Sequence, residues 1–158
     1  MTDVSAAAAV TPSTGPILFA YDGSSLSALA IERAGHELAG GRDALVLCVW
    51  QPASVGFEPV AGRHFDPNSA DEVRVAAQEV ADFGASLAEN AGFRARGVTT
   101  DAAPTWKGIN HVAEEHQVSL IVMGAHSHGS LGGHLLGSVS KAVVSHAACS
   151  VMVVHQES

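Results

Sequence analysis

The sequence predicts an α/β fold in which helices cover both faces of one doubly wound, five-stranded parallel sheet. Short, continuous apolar segments alternate with segments whose apolar residues recur at helical spacing, in the order β-α-β-α-β-α-β-α-β. Strands that are apolar along their whole length are typical of parallel sheets buried on both sides. Right-handed crossovers between such strands produce a Rossmann-like, doubly wound sheet.

The first two predicted strands are the apolar segments 16–21 and 44–50, which a helix connects. Asp22-Gly23-Ser24-Ser25 separates the first strand from this helix and has the composition of a turn and a helix cap. Apolar residues then repeat at helical spacing until Gly40-Gly41 ends the helix: Leu26, Leu29, Ala30, Ala34 and Leu38. The Gly- and Pro-rich residues 51–67 show no period and are predicted to form a long loop.

The second part of the chain continues the same alternation. It contains a helix from 68–69 to 90–92, a strand at 93–99, a helix from 104–105, a strand at 118–123, a helix at 137–146 and a strand at 150–155. Asp22-Gly23-Ser24 follows the first strand, and a glycine-rich segment beginning at Gly124 follows the fourth. Ligands of open α/β sheets bind at the carboxyl ends of the strands, so we expect these two segments to face one crevice.

Length and composition predict one acidic domain. The 158 residues carry a formal net charge of −8, and no two of the basic residues are adjacent. Binding to nucleic acid or to an anionic membrane is therefore not expected. Residues 1–14 are predicted to form a flexible tail ahead of a domain at 15–158. The N-terminus has no basic, apolar signal segment, which predicts a cytoplasmic protein.

The glycine-rich segment GAHSHGSLGGHLLGSVS, residues 124–140, is the strongest candidate site. It runs into the helix predicted at Gly137-Ser138, and the backbone N–H groups of a helix N-terminus bind anions. Glycines allow a backbone to approach a phosphate closely or to adopt a positive φ, and Ser138 and Ser140 add hydroxyl groups. A loop that turns tightly would have the same composition, so glycine content alone leaves both interpretations open.

Residues 17–154 resemble the universal stress protein family. The resemblance is carried by ILFAYDGS at the start and by LIVMGAHSHGSLGGHLLGSVSKAVVSHAACSVMVV at the end. ATP-binding members of that family are described by a glycine, two residues, a second glycine, nine residues, then glycine and serine. Gly124 matches the first position and Gly137-Ser138 the last pair, whereas Ser127 stands at the second glycine position.

The resemblance implies an adenine-nucleotide-hydrolase-like fold and a regulatory, stress-response protein that binds an adenine nucleotide. ATP is the first candidate ligand, with or without Mg²⁺. Asp22 would contact the ribose or adenine, the backbone around Val49 the adenine edge, and the segment after Gly124 the phosphates. The implied contact set is Ala20, Tyr21, Asp22, Val49, Met123, Gly124, Ser127, Gly137, Ser138, Val139 and Ser140. The family also implies a homodimer through the last strand, Val151 to Val154.

Three functions stay open because Ser127 interrupts the family motif. The protein is a nucleotide-binding regulator, a slow ATPase or self-phosphorylating protein that uses the same site, or a dimeric interaction module without nucleotide. No catalytic residues are predicted, since the G-x-x-x-x-G-K-[ST] phosphate loop is absent and no catalytic triad can be argued from spacing. Asp22 could hold Mg²⁺ at bound phosphates or cap the first helix.

The loop after Gly124 contains histidines in place of fixed cations. Between residues 125 and 136 there is no Lys or Arg, but there are His126, His128 and His134. They could be exposed polar residues without a special role, or metal ligands, although no carboxylate lies in the loop. A third hypothesis is that protonated histidines strengthen phosphate binding at lower pH.

Overall fold

The computed structural model describes residues 15–51, 67–126 and 135–157. Their strands and helices are β1 (Ile17–Ala20), α1 (Ser25–Glu37), β2 (Asp43–Trp50), α2 (Pro67–Asn90), β3 (Arg94–Asp101), α3 (Thr105–Glu115), β4 (Leu120–Gly124), α4 (Ser138–His146) and β5 (Ser150–Val154). The strands form one parallel sheet in the order β3-β2-β1-β4-β5. The predicted α/β fold class is confirmed, whereas the predicted tail at 1–14 lies outside the described residues.

The chain changes its direction of winding between β1 and β4. From β1 it adds β2 and β3 on one side, and α3 then carries it back across the sheet to β4 and β5. Because the connections that leave β1 and β4 diverge to opposite faces, a crevice opens between them at the carboxyl ends of the strands.

Two apolar clusters, one on each face of the sheet, form the core. On the first face the side chains of Ile17, Phe19 and Tyr21 pack against α1 and α2. On the second face Leu18 and its neighbours pack against α3 and α4. Successive residues of a strand point to opposite faces, so a strand covered on both sides must be apolar throughout. This is the physical reason for the uninterrupted apolar segment at β1.

Some element boundaries differ from the predicted ones because pairing and capping override local composition. β3 extends to Asp101 because it pairs with β2 over the full length of both strands, from Asp43–Arg94 to Trp50–Asp101. β4 begins at Leu120 rather than at 118, because the N–H of Val118 donates to the carbonyl of Ala113 and closes the end of α3. This bond follows Gln117, whose φ of 52° is typical of a helix C-terminus.

No helix in the three described ranges combines the length and the apolar character needed to cross a membrane.

Candidate functional site

A cleft of about 200 Å³ opens at the carboxyl ends of β1, β2 and β4, where the winding direction changes. Its lining includes eight residues of the predicted contact set: Ala20, Tyr21, Asp22, Val49, Met123, Gly124, Val139 and Ser140. Gly137 and Ser138 lie immediately before Val139, at the start of α4. Ser127, His128 and His134 lie outside the described residues. The structure thus brings together, in one cleft, predicted residues from three distant parts of the chain.

Five further residues line the cleft that the sequence analysis did not single out as ligand contacts: Ser24, Ser27, Leu47, Thr105 and Ile109. His126, one of the loop histidines considered above, also lines it. Thr105 and Ile109 are contributed by α3, which the sequence places in no motif. Their spacing of four residues puts both on one helix face, but only the packing of α3 turns that face toward the cleft. No sequence signal therefore distinguished them from ordinary core residues.

The turn after β1 is held by the carboxylate of Asp22. Its Oδ1 accepts hydrogen bonds from the backbone N–H of Ser24 and the hydroxyl of Ser27, each at 2.9 Å. Gly23 has a φ of +81°, a backbone conformation that favours glycine. The N-cap of α1 is Ser24, whose hydroxyl accepts from the N–H of Ser27. The alternative that Asp22 caps this helix is therefore wrong, and Asp22 instead braces the turn at the edge of the cleft.

The two glycines at the ends of the motif pack closely against protein atoms. A Cβ on Gly124 would lie 2.9 Å from Cγ of Leu26, and one on Gly137 would lie 3.2 Å from Cα of His126. Neither glycine has a positive φ. Because these two glycines have no side chain, α1 can approach β4 and α4 can begin beside His126. The predicted positive φ is not found at either glycine.

Ser140 fastens α4 to the end of β4. Its hydroxyl lies 3.0 Å from the carbonyl oxygen of Gly124 and 2.9 Å from that of Ala125, and the residue is only 2% exposed. Because a hydroxyl has a single proton, these carbonyls compete with any ligand for it. The oxygen of Ser140 can still accept, but its main contact in this structure is with the strand.

The N-terminus of α4 faces the same end of the cleft. Gly137 is its N-cap and supplies no side-chain hydrogen bond, and the first helical bond runs from the N–H of Lys141 to the carbonyl of Gly137 at 3.0 Å. The N–H groups of residues 138–140 precede that bond and have no partner within the helix. They carry the partial positive charge of the helix end, which favours an anion.

Charged side chains are scarce among the residues described around the cleft. Asp22 is the only carboxylate in this lining, and His126 is its only histidine; the lining includes neither Lys nor Arg. Burial, followed by the charge of Asp22 and the neighbouring Cys48, raises the pKa of Tyr21. Burial, followed by Asp22, also raises the pKa of the Cys48 thiol. Both groups are therefore neutral at physiological pH.

Within the described ranges, no group of three or more His, Cys, Asp or Glu side chains is arranged to hold a metal ion. A larger groove, of about 680 Å³, lies between α1 and α2 on the other face of the sheet. None of the predicted contact residues lines that groove, and Glu32 is the only carboxylate among the described residues that do. The cleft at the strand ends is therefore the candidate functional site.

Comparison with known proteins identifies relatives over nearly the whole chain. A model of the universal stress protein family matches residues 14–155. The universal stress protein YxiE of Bacillus subtilis (strain 168) is 34% identical over 148 residues, which cover 87% of this chain and 97% of YxiE.

Solved structures share the fold at lower identity. A universal stress protein in complex with cAMP superimposes with a TM-score of 0.63 at 20% identity, covering 92% of this chain and 99% of that one. The universal stress protein of Archaeoglobus fulgidus in complex with dAMP gives a TM-score of 0.62 at 21% identity, covering 88% and 96%. The match of the family model together with the identity to YxiE confirms the resemblance, and the chain belongs to the universal stress protein family.

Proposed function

We propose that this protein is a cytoplasmic stress-response regulator that binds an adenine nucleotide in the cleft at the ends of β1, β2 and β4. The observation that carries the proposal is the cleft itself. At the switch point of the sheet it gathers eight of the residues that the family resemblance assigned to nucleotide contact. Ligands of doubly wound sheets bind at this position, and the two solved relatives described above hold adenine nucleotides.

The chemistry of the walls supports a flat, mostly apolar ring with a polar edge. Apolar side chains dominate the lining and come from β1, β2, α3, β4 and α4: Ala20, Leu47, Val49, Ile109, Met123 and Val139. Asp22 and Thr105 add a carboxylate and a hydroxyl at the rim. Cofactor sites combine apolar walls with a few placed polar groups, which suits adenine against the walls and a ribose hydroxyl at Asp22.

The N-terminus of α4 supports phosphate binding at the other end of the cleft. The N–H groups of residues 138–140 are available to an anion there. ATP is the first ligand to test, because the motif resembles that of ATP-binding members. AMP and cyclic nucleotides are the alternatives, because the relatives' ligands carry one phosphate.

We also propose that the protein is a homodimer through β5. In the described sheet β5 is an edge strand that pairs only with β4. Val151, Met152 and Val153 are half-buried along this edge. An apolar edge strand without a partner is prone to aggregation, and pairing with the same strand of a second copy would cover it.

A second candidate function is a dimeric interaction module that binds no nucleotide. The close packing of Gly124 against Leu26 and of Gly137 against His126 favours it, since both glycines then have a structural reason without any ligand. A direct binding experiment separates the two candidates.

The test is to purify the protein, denature it and identify released small molecules by mass spectrometry. ATP, AMP and cAMP are then titrated into nucleotide-free protein by calorimetry, with and without Mg²⁺. We expect an adenine nucleotide to bind, and Asp22→Ala to weaken it by about tenfold, a difference of about 1.4 kcal/mol. Asp43→Ala, at the opposite end of β2, is the matched control and leaves affinity unchanged. No release and no binding at millimolar nucleotide would favour the interaction module.

A further inference from the structure

A phosphate bound in this cleft would meet no fixed positive side chain among the described lining residues, which include neither Lys nor Arg. Residues 125–136 contain none in the sequence, and the whole chain has a net charge of −8. Lys141 follows Ser140 in α4, but it is exposed and does not line the cleft. Phosphate sites commonly use Arg or Lys as charge-assisted donors, so the described lining lacks a usual part of such a site.

His126 lies where that charge is needed. It lies two residues after the end of β4, lines the cleft and is half-buried. Its backbone contacts Gly137, the N-cap of α4, since a Cβ on Gly137 would lie 3.2 Å from Cα of His126 and 3.3 Å from its Cβ. His126 and the N-terminus of α4 therefore lie beside each other at the same end of the cleft.

Few titratable groups surround this end of the cleft in the described part of the chain. β5 accepts a hydrogen bond from the N–H of Ala125 through the carbonyl of Val154, and His155 follows it. β1 contributes Tyr21 and Asp22, and β2 contributes Cys48 beside Val49; burial keeps the phenol and the thiol neutral. The lining residues of α3 and α4 carry no titratable side chain. A bound phosphate attracts a cationic imidazole beside it and so favours the protonated form. Protonation and phosphate binding should therefore favour each other.

We propose that His126 is a phosphate-binding residue whose imidazolium supplies the cationic charge of the cleft, so that nucleotide binding takes up a proton. The inference rests on the proposed nucleotide function and specifies its regulation. A histidine ordinarily changes charge between pH 5 and 8, so affinity rises as the pH falls through that range. This increase in affinity depends on the phosphate, because adenine and ribose carry no negative charge that would attract the imidazolium.

The test is calorimetric titration of the full chain at about pH 5.5 and about pH 8. The probe is cAMP, because its single phosphodiester keeps the same charge across this range; adenosine is the ligand without phosphate. We expect cAMP to bind about tenfold more tightly at the lower pH, corresponding to about 1.4 kcal/mol. Adenosine should bind equally at both values. Runs in buffers of different ionisation enthalpy should show proton uptake with cAMP.

Three variants locate the effect. His126→Gln should bind cAMP weakly at both pH values, and His126→Lys should bind it tightly at both, because its charge is fixed. His36→Gln is the matched control, since His36 lies on α1 and lines the other groove; it should behave as the unmodified protein. The inference is overturned if affinity is independent of pH, if adenosine shows the same pH dependence, or if His126→Gln retains it. If no nucleotide binds at any pH, the proposed function fails and this inference with it.

Discussion

At the scale of single residues, Asn110 is a buried polar side chain whose hydrogen bonds are unmade. It lies on α3, next to the cleft-lining Ile109, and is only 7% exposed. Neither its amide nitrogen nor its amide oxygen has a hydrogen-bond partner among the described residues. A buried polar group that loses water without gaining a partner destabilises the folded state by about 1–3 kcal/mol.

We therefore expect Asn110→Leu to raise the free energy of unfolding by about 1–2 kcal/mol, because an apolar side chain of similar size removes the desolvation penalty. Urea denaturation followed by circular dichroism measures it. Asn90→Leu is the control, since Asn90 is exposed at the end of α2 and should change stability by less than about 0.5 kcal/mol. A loss of stability in Asn110→Leu would mean that the amide is hydrogen-bonded in solution.

Residue types in the candidate site were predictable from sequence, but their contacts were not. Asp22 and Ser140 stand at the expected positions, and both line the cleft. Asp22 nevertheless braces the turn through Ser24 and Ser27, and the hydroxyl of Ser140 faces strand carbonyls. The hydrogen bonds of a side chain depend on which donors and acceptors the fold brings near it. The carbonyl acceptors near Ser140 belong to Gly124 and Ala125, which are 16 and 15 positions away in the sequence.

At the scale of elements, the contact between α1 and β4 depends on the missing side chain of Gly124. A Cβ there would lie 2.9 Å from Cγ of Leu26 and 3.2 Å from its Cδ2. Leu26 is buried in the first turn of α1, directly after the turn that Asp22 braces. This contact therefore sets how closely α1 approaches the end of β4.

Gly124→Ala should lower the free energy of unfolding by about 1–3 kcal/mol, because the added methyl group overpacks the contact. Leu26→Ala alone should cost about 2–5 kcal/mol through the cavity it leaves. The double variant should be less destabilised than the sum of the two, since the smaller side chain makes room for the methyl group. Urea denaturation of all four proteins measures this coupling.

Gly40→Ala is the control for the added methyl group. The nearest atom to its Cβ would be the carbonyl oxygen of Gly92 at 3.7 Å, an ordinary contact distance, and its φ is not positive. Its stability should change by less than about 0.5 kcal/mol. Strict additivity in the Gly124 and Leu26 cycle would show that the two residues do not restrain each other.

At the scale of the whole molecule, β3 and β5 are the two edges of the described sheet, and the edge at β5 carries apolar side chains that are only half-buried. Parallel strands β1, β2 and β4 are each paired on both sides, whereas β5 is paired only with β4. Val151 and Val153 pack partly against the α3–α4 cluster and remain half-exposed. The proposed homodimer removes this apolar edge from water.

A lysine at this edge should therefore separate the proposed dimer. We expect Val153→Lys to sediment as a monomer while the unmodified protein sediments as a dimer. Pairing of β5 with its copy would bury one lysine charge from each protomer. Its circular dichroism spectrum should be unchanged, since the long lysine stem can keep its ammonium in water. Val75→Lys is the control on α2, where Val75 is 48% exposed. Sedimentation of Val153→Lys as a dimer would place the interface elsewhere.

The sequence by itself determined the alternation of strands and helices, the parallel sheet and the family. Apolar periodicity and the motif at Gly124 and Gly137-Ser138 are local patterns, which can be recognised in the sequence without knowing the tertiary structure. They also placed Asp22 and Gly124 at one edge of the sheet, where the structure brings both into one cleft.

Only the tertiary structure decided the strand order, the contribution of α3 to the cleft and the place of His126 beside the N-terminus of α4. It also showed that the space beside Gly124 is filled by Leu26, a residue almost a hundred positions away in the chain. The physical reason is that packing and hydrogen bonding join residues distant in sequence, and local patterns contain no information about which distant surfaces will meet.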